Sequence, residues 1–278
     1  MRRKIKLSIV VTSNEDERLF NLIHSIEQMQ GVEYLECIIV LDIQSENYFK
    51  AINNLIEKAK GKFKIILAKG KTRCERKDIG VANSLADYVC FVDSDCVFDS
   101  EYYNFLKPHL NHHEVIRGSV RYLKGTSWIG TMNSYYRHIA DNILFVNETF
   151  TPNLIIKKTF LQTNGGWTKD NIDEQDDYIL SQRLKKHMSI PLLHLNESVV
   201  IHTEDTNFQK LKRSWIGYGK GYGFRYWMDQ DKSKKKLLKY LPPFPYKREF
   251  GTGYFVFCII HYYYMCIGYV KGLLDSNK

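Results

Sequence analysis

Two aspartates with one residue between them close an apolar run, Tyr88-Val89-Cys90-Phe91-Val92-Asp93-Ser94-Asp95. Positions two apart on an extended chain point the same way, so both carboxylates can present oxygens to one hard cation. Burying them unpaired would be costly, which places them where the run leaves the interior. The plainer alternative is that the pair only caps the next helix. Other candidates stand at the ends of similar runs. Asp42 follows the run 37–41, Arg76 and Lys77 open the segment 73–86, and His202 ends the run 199–202. Asp176 and Asp177 lie in a segment, 173–186, that passes from acidic to basic, the polarity that suits a helix dipole. Each has a structural alternative: a helix cap for Asp42, a solvated helix face for Arg76 and Lys77, dipole acids for Asp176 and Asp177, and a structural histidine for His202. His112 and His113 read as an exposed loop pair rather than a metal site.

The elements that must position these groups are written in the hydrophobic pattern. Short apolar runs at 7–11, 37–41, 63–68 and 88–92 read as buried strands. Between them, Leu19, Leu22, Ile23, Ile26 and Met29 recur at helical spacing, as do Ile52, Leu55, Ile56 and Ala59, and a third helix is expected over 73–86. Ser13 and Asn14, each three residues before an acid, read as a capping-box start for the first helix. This alternation predicts βαβ units and a parallel sheet, whose strands bind ligands at their carboxyl ends. No Gly-x-Gly-x-x-Gly follows the first strand and no Walker-type lysine is present, which argues against dinucleotide and P-loop sites. Further on, helices are expected at 101–110 and 128–146, strands at 115–122, 153–156 and 199–202, and a turn at Gly165-Gly166-Trp167.

Composition bounds the rest. The chain has 278 residues, 44% of them apolar, which argues against disorder. A net charge of +9 points to an anionic partner. Six cysteines without pairing or metal-ligand spacing suggest a reducing, cytosolic setting. The basic start Met1–Lys4 is followed by an apolar run too short for a signal peptide. The stretch 210–227 is basic, aromatic and glycine-rich, and composition shifts to a Lys-rich linker near Asp231. Residues 253–270 then carry no formal charge over a length at the lower limit for crossing a bilayer. Preceded by Lys232, Lys234, Lys235, Lys236 and Lys239, the block suits an anionic membrane surface; the alternative is a core helix packed on the domain.

Taken together, the Asp-x-Asp after its strand, the later Gly-Gly-Trp, the paired acids ending in Arg183-Leu184 and the Tyr218-Gly219-Lys220-Gly221 stretch resemble a family 2 glycosyltransferase of GT-A fold. That fold is an α/β, Rossmann-like, mostly parallel sheet flanked by helices. The resemblance implies a GT-A domain over residues 1–230, with a donor half at 1–100 and an acceptor half at 101–230, followed by a basic linker and apolar aromatic helix at 231–278. It implies a metal-assisted, inverting transfer from a nucleotide-diphosphate sugar to a hydroxyl of a glycan or lipid-linked acceptor. By the same resemblance Asp42 would bind the base, and Arg76 or Lys77 would lie near the nucleotide. Asp93 and Ser94 would contact the donor, while Asp95, with Asp93 and His202, would hold Mn²⁺ or Mg²⁺. Asp177, paired with Asp176, would be the general base. The chain departs from the family pattern at Ile43, where a second acid is common, at Gln44 in place of Gly, at Asp176 in place of Glu, and in the one-residue offset that leaves Arg76 and Lys77 both open. Attachment at the cytoplasmic face of the cell membrane completes this reading. The rival class is a non-catalytic module that binds nucleic acid or a sugar nucleotide through 210–227. That stretch has no recognised nucleic-acid motif, so nucleic acid is not expected as a partner.

Overall fold

The computed structural model describes residues 5–170, 176–203, 207–228 and 247–275. The chain forms two compact units, Met1–Arg121 with Asp141–Thr203, and Tyr122–Ala140 with Glu204–Lys278.

The first unit is built on a mixed eight-stranded sheet. Third from one edge is β1 (Leu7–Ser13), apolar except for Ser8, Thr12 and Ser13, and buried along almost all of its length. β1 runs parallel to both β2 (Leu35–Leu41) and β4 (Tyr88–Asp93), and β3 (Lys62–Leu67) runs parallel to β2. The register pairs Ser13 with Leu41 and Thr12 with Asp93, so three strands end along one edge of the sheet. Alternate side chains leave the sheet on opposite faces. Leu7, Ile9 and Val11 enter one core with α1 (Leu19–Gln28), while Val10, Ile38 and Val40 enter the other with α3 (Arg73–Ala82). The crossover between β2 and β3 is α2 (Glu46–Lys58), capped by the Ser45 hydroxyl.

After β4 the chain reverses direction. β5 (Cys96–Phe98) pairs antiparallel with β8 (Leu193–His202), setting Cys96 opposite His202. β7 (Leu154–Lys157) lies antiparallel between β4 and β6 (Val115–Tyr122). Short helices α4 (Tyr102–Leu106), α6 (Lys158–Thr163) and α7 (Asp176–Leu184) link these strands.

The second unit holds α5 (Trp128–Ile139), α8 (Phe208–Met228) and α9 (Lys247–Asp275), the last broken at Gly251, whose φ is 74°. Ile139, Leu211, Trp215, Tyr254 and Phe257 form its core.

Several details depart from the sequence expectation. Ser13 and Asn14 do not cap α1: β1 extends through Ser13, Glu15 adopts a φ of 51°, and the helix begins only at Leu19, with no side-chain cap. The Asp16 carboxylate instead accepts from the backbone N–H of Arg18. α5 ends at Ile139 and gives way to one π turn, Ala140–Leu144, so it is shorter than 128–146. β8 starts at Leu193, six residues before the expected strand, and β5 and α6 were not expected. Compactness divides the chain at other points than the composition shift near Asp231, because the mid-chain helix α5 packs with the late helices. The basic start 1–4, the acidic start of the segment at 173–175 and the Lys-rich linker at 229–246 lie outside the described residues.

Candidate active site

The sheet edge gathers the acids. Asp95 leaves β4 directly before β5, and its carbonyl accepts from Thr203 N at 2.9 Å and Thr203 Oγ1 at 2.7 Å. That pairing brings His202 Nε2 to 3.5 Å from Asp95 Oδ1. The ligand atoms of Asp95, Cys96 and His202 all lie within 4.8 Å of one another. A carboxylate and an imidazole fit a divalent cation such as Mn²⁺. Without a cation, burial together with the charges of Asp93 and Asp95 pushes the Cys96 thiol well up. Asp93 is also raised, by burial first and then by the Asp95 charge, against the opposing pull of Lys77, His202 and Arg73. Two carboxylates crowded at the end of one strand are an arrangement that a bound cation relieves.

Arg18 closes this corner. Its Nη1 lies 3.2 Å from Asp95 Oδ2, while Nη2 and Nε bind Asp16 at 2.7 and 2.8 Å. Ser94 Oγ donates to Asp16 Oδ2 at 3.2 Å. The loops after β1 and β4 are therefore tied together by one guanidinium. Sequence reading missed Arg18, which nothing local marks, and took Asp16 only as a capping-box acid.

The second group forms where α3 meets α7. Arg73 and Lys77 stand one helical turn apart on the same face of α3. Arg73 Nη2 lies 2.7 Å from Asp176 Oδ1 and Lys77 Nζ lies 2.5 Å from Asp176 Oδ2. Lys77 Nζ is also 3.6 Å from Asp177 Oδ1. Both acids occupy the first turn of α7, where the helix dipole favours negative charge. Lys77 is buried and sits 3.9 Å from the centre of the Trp167 ring, which meets Phe91 edge-on at 5.0 Å. The Gly165-Gly166-Trp167 turn is real, with φ of 91° and 64° at its glycines. It is clasped by Asp78, which accepts from Trp167 N, Thr168 N and Thr168 Oγ1 at 2.9, 2.9 and 2.8 Å. A Cβ at Gly166 would meet the Asp78 carboxylate at 2.7 Å, so this clasp also requires glycine.

Asp177 differs from its neighbour. Thr151 Oγ1 donates to its Oδ2 at 3.0 Å, and its Oδ1 is buried without a hydrogen-bond partner among the described residues. Burial, then the Asp176 charge, pushes Asp177 up to about 6, with Lys77 and Arg73 pulling the other way. Asp42 lies on the same strand edge, with Oδ1 accepting from Gly70 N at 3.1 Å. Arg76 is turned away from the acid pair: it is buried and binds the Ser13 carbonyl and Asn14 Oδ1. The offset in the helix opening thus resolves into two partners, the β1 loop for Arg76 and the acid pair for Lys77. Neither lies on a solvated face.

The sequence of residues 8–163 matches the model of glycosyl transferase family 2. The chain belongs to glycosyl transferase family 2. This match takes in β1 through α6 and hence Asp42, Asp93, Asp95, Arg76 and Lys77, while Asp176, Asp177 and His202 lie beyond it. No curated protein matches the chain by sequence. Among solved structures, the mannosyltransferase PcManGT from Pyrobaculum calidifontis, in complex with GDP-Man and Mn²⁺, aligns with a TM-score of 0.64 at 11% identity, over 99% of this chain and 73% of that one. TarS 1–349 of S. aureus aligns with a TM-score of 0.55 at 12% identity, over 98% and 90%. GalNAc-T7 with UDP, GalNAc and Mn²⁺ aligns with a TM-score of 0.58 at 14% identity, over 73% of this chain and 44% of that one. These likenesses show the fold: this glycosyltransferase has the GT-A architecture, and a C-terminal helix is present.

Proposed function

We propose that this glycosyltransferase moves a hexosyl group from a nucleotide-diphosphate sugar to an acceptor hydroxyl in a metal-assisted, inverting displacement. The observation that carries the reading is the meeting of the Asp93–Asp95–His202 corner with the Lys77–Asp176–Asp177 group, which are close enough for each to act electrostatically on the other. Asp95 and His202, with Asp93, would hold Mn²⁺ or Mg²⁺. Bound there, the cation would offset the charge that develops on the departing diphosphate. Asp42 and Ser94 would bind the nucleoside, and Arg76 would hold the β1 loop against it.

Asp177 serves as the base in this reading. Its pKa near 6 leaves it ionised at neutral pH yet far more basic than an exposed carboxylate, which suits removal of a hydroxyl proton during attack. Asp176, with one oxygen on Arg73 and the other on Lys77, holds the pair in place. Attack from the side opposite the leaving group inverts the anomeric centre. The relatives' GDP-Man, UDP-GlcNAc and Mn²⁺ support a nucleotide-sugar donor and a divalent ion here. The acceptor is a glycan or a lipid-linked sugar in polysaccharide synthesis. The enzyme works as a peripheral protein at the cytoplasmic face of the cell membrane, its lysines drawn to anionic lipid.

A panel of nucleotide sugars titrated with and without Mn²⁺ tests this. Metal-dependent binding of one of them, followed by transfer, is the expected result. Metal-independent binding with no transfer would instead favour a sugar-nucleotide binding module. The nucleic-acid reading of 210–227 loses its main platform, because Trp215 is only 1% exposed and packs in the core of the second unit.

A further inference from the structure

α9 carries an apolar stripe that the described residues leave uncovered. Val256, Ile259, Tyr263, Cys266, Val270 and Leu274 follow one another at steps of three or four residues, and all six are exposed. At ~1.5 Å per residue the stripe runs about 27 Å along the helix. Its large members are 47% to 62% exposed, whereas Tyr254, Phe257 and His261 on the opposite face are buried. Elsewhere in the described residues, exposed large apolar side chains do not form such a row on one helix.

The partner of the buried face is α8, and the contact is unusually close. A Cβ on Gly219 would collide with the Met265 carbonyl, and one on Gly223 with that of Tyr269. In return, a Cβ on Gly268 would strike the Ile216 carbonyl and one on Gly272 the Lys220 carbonyl. Contacts rise together along both helices, so α8 and α9 run parallel, backbone against backbone. Paired Gly-x-x-x-Gly segments of this kind are a packing mode of helices in lipid.

We propose that α9 lies in the plane of an anionic bilayer surface, with the Val256–Leu274 stripe immersed among the acyl chains, and does not cross it. This rests on the membrane attachment proposed above and names the face responsible for it. Three observations select the occupant. First, α8 carries Lys210, Lys212, Arg213 and Lys220 along its length. Because α8 is locked to α9 by the glycines, a spanning α9 would draw those cations into the hydrocarbon, where charge is expensive. A helix lying flat leaves them in the headgroup layer. Second, Ile260, Tyr262, Ile267 and Tyr269 flank most of the stripe without charge, and Lys271 brings one charge beside Val270 near its C-terminal end. A seam between two copies of a soluble helix is normally flanked by charged pairs, while tyrosines suit the membrane interface. Third, residues 232–248 hold seven Lys or Arg and no acid, complementary to anionic headgroups.

The chain supplies its own reporter. Cys266 is exposed on the stripe and the other five cysteines are buried, so an environment-sensitive thiol dye on the full-length protein reads this face. The probe membranes are vesicles of equal parts phosphatidylcholine and phosphatidylglycerol. The dye should shift to the blue when they are added, and a nitroxide placed shallow on the acyl chain should quench it more than one placed deep. Ile259→Asp or Val270→Asp, with the dye in place, should weaken vesicle binding by about ten- to a hundredfold, the size expected for losing one buried apolar side chain. Stronger quenching by the deep nitroxide means a spanning helix and overturns the proposal. Sedimentation with vesicles while the dye stays in water overturns it too, but leaves attachment by other means intact. A blue shift without vesicles that grows with protein concentration assigns the stripe to a second copy. No association with vesicles at low salt removes both this inference and the attachment reading.

Discussion

The Lys77 ammonium lies 2.5 Å from Asp176 Oδ2, joining the middle of α3 to the first residue of α7 across 99 positions of sequence. The contact is buried and stacked on Trp167. It separates two neighbouring carboxylates into different environments. Asp176 has both oxygens on cations at hydrogen-bond distance, whereas Asp177 Oδ1 lies 3.6 Å from Lys77 Nζ with no hydrogen bond among the described residues, and its pKa is raised. Unlike roles for like residues follow from such a split.

Asp177→Asn should still bind the donor but lose transfer by about two to four powers of ten, the usual contribution of a general base. Isothermal titration and a radiolabelled transfer assay separate the two effects. An inactive Asp176→Asn beside an active Asp177→Asn would move the base by one residue.

The pH dependence follows from the same residue. A base with a pKa of about 6 gives kcat/KM an acid limb near that pH, and activity falls as Asp177 takes up a proton. Stability runs the other way. A carboxyl raised from its ordinary value favours the folded state fully below the unfolded pKa, and that advantage is lost as pH rises through about 6. Asp177→Asn should therefore raise the melting temperature at pH 8 and leave it unchanged below about pH 4, the ordinary carboxylate range. Differential scanning calorimetry at the two pH values checks the sign.

Lys77→Met keeps the bulk of the side chain but strands two buried carboxylates. Breaking a buried ion pair from one side costs about 3–5 kcal/mol, so urea unfolding should show a loss of that order. Because Lys77 pulls the Asp177 pKa down, its removal should also move the acid limb upward from about 6 in whatever protein remains folded. A limb that stays in place would mean that Asp177 does not set it.

Asp95→Asn should abolish Mn²⁺ binding, read directly by the electron paramagnetic resonance of the free ion, while circular dichroism stays unchanged. His202→Ala should weaken the same binding less, since a carboxylate supplies charge and a neutral imidazole does not. Equal Mn²⁺ affinity in the wild type and Asp95→Asn would place the metal elsewhere.

Local pattern alone was enough to reveal β1 to β4, the helices between them and the carboxylates at the strand ends. Strand and helix periods, and the cost of burying charge, act over a few residues and so can be read from neighbours in the chain. The same reasoning found the turn at Gly165-Gly166, whose positive φ angles favour glycine. It failed where local rules compete. Ser13 looked like a cap, but pairing with Leu41 in the sheet kept it in β1. β5, three residues long, exists only because β8 lies beside it. Partners were the larger gap: Arg18 on Asp95, Asp78 on the Trp167 turn, Lys77 rather than Arg76 on the acid pair, and α5 packed with helices from the end of the chain. Types and spacing announce which residues can ionise, coordinate or turn the chain. Which of them meet is decided by contacts between distant segments, because only packing sets the burial and the neighbouring charges on which each group's chemistry depends.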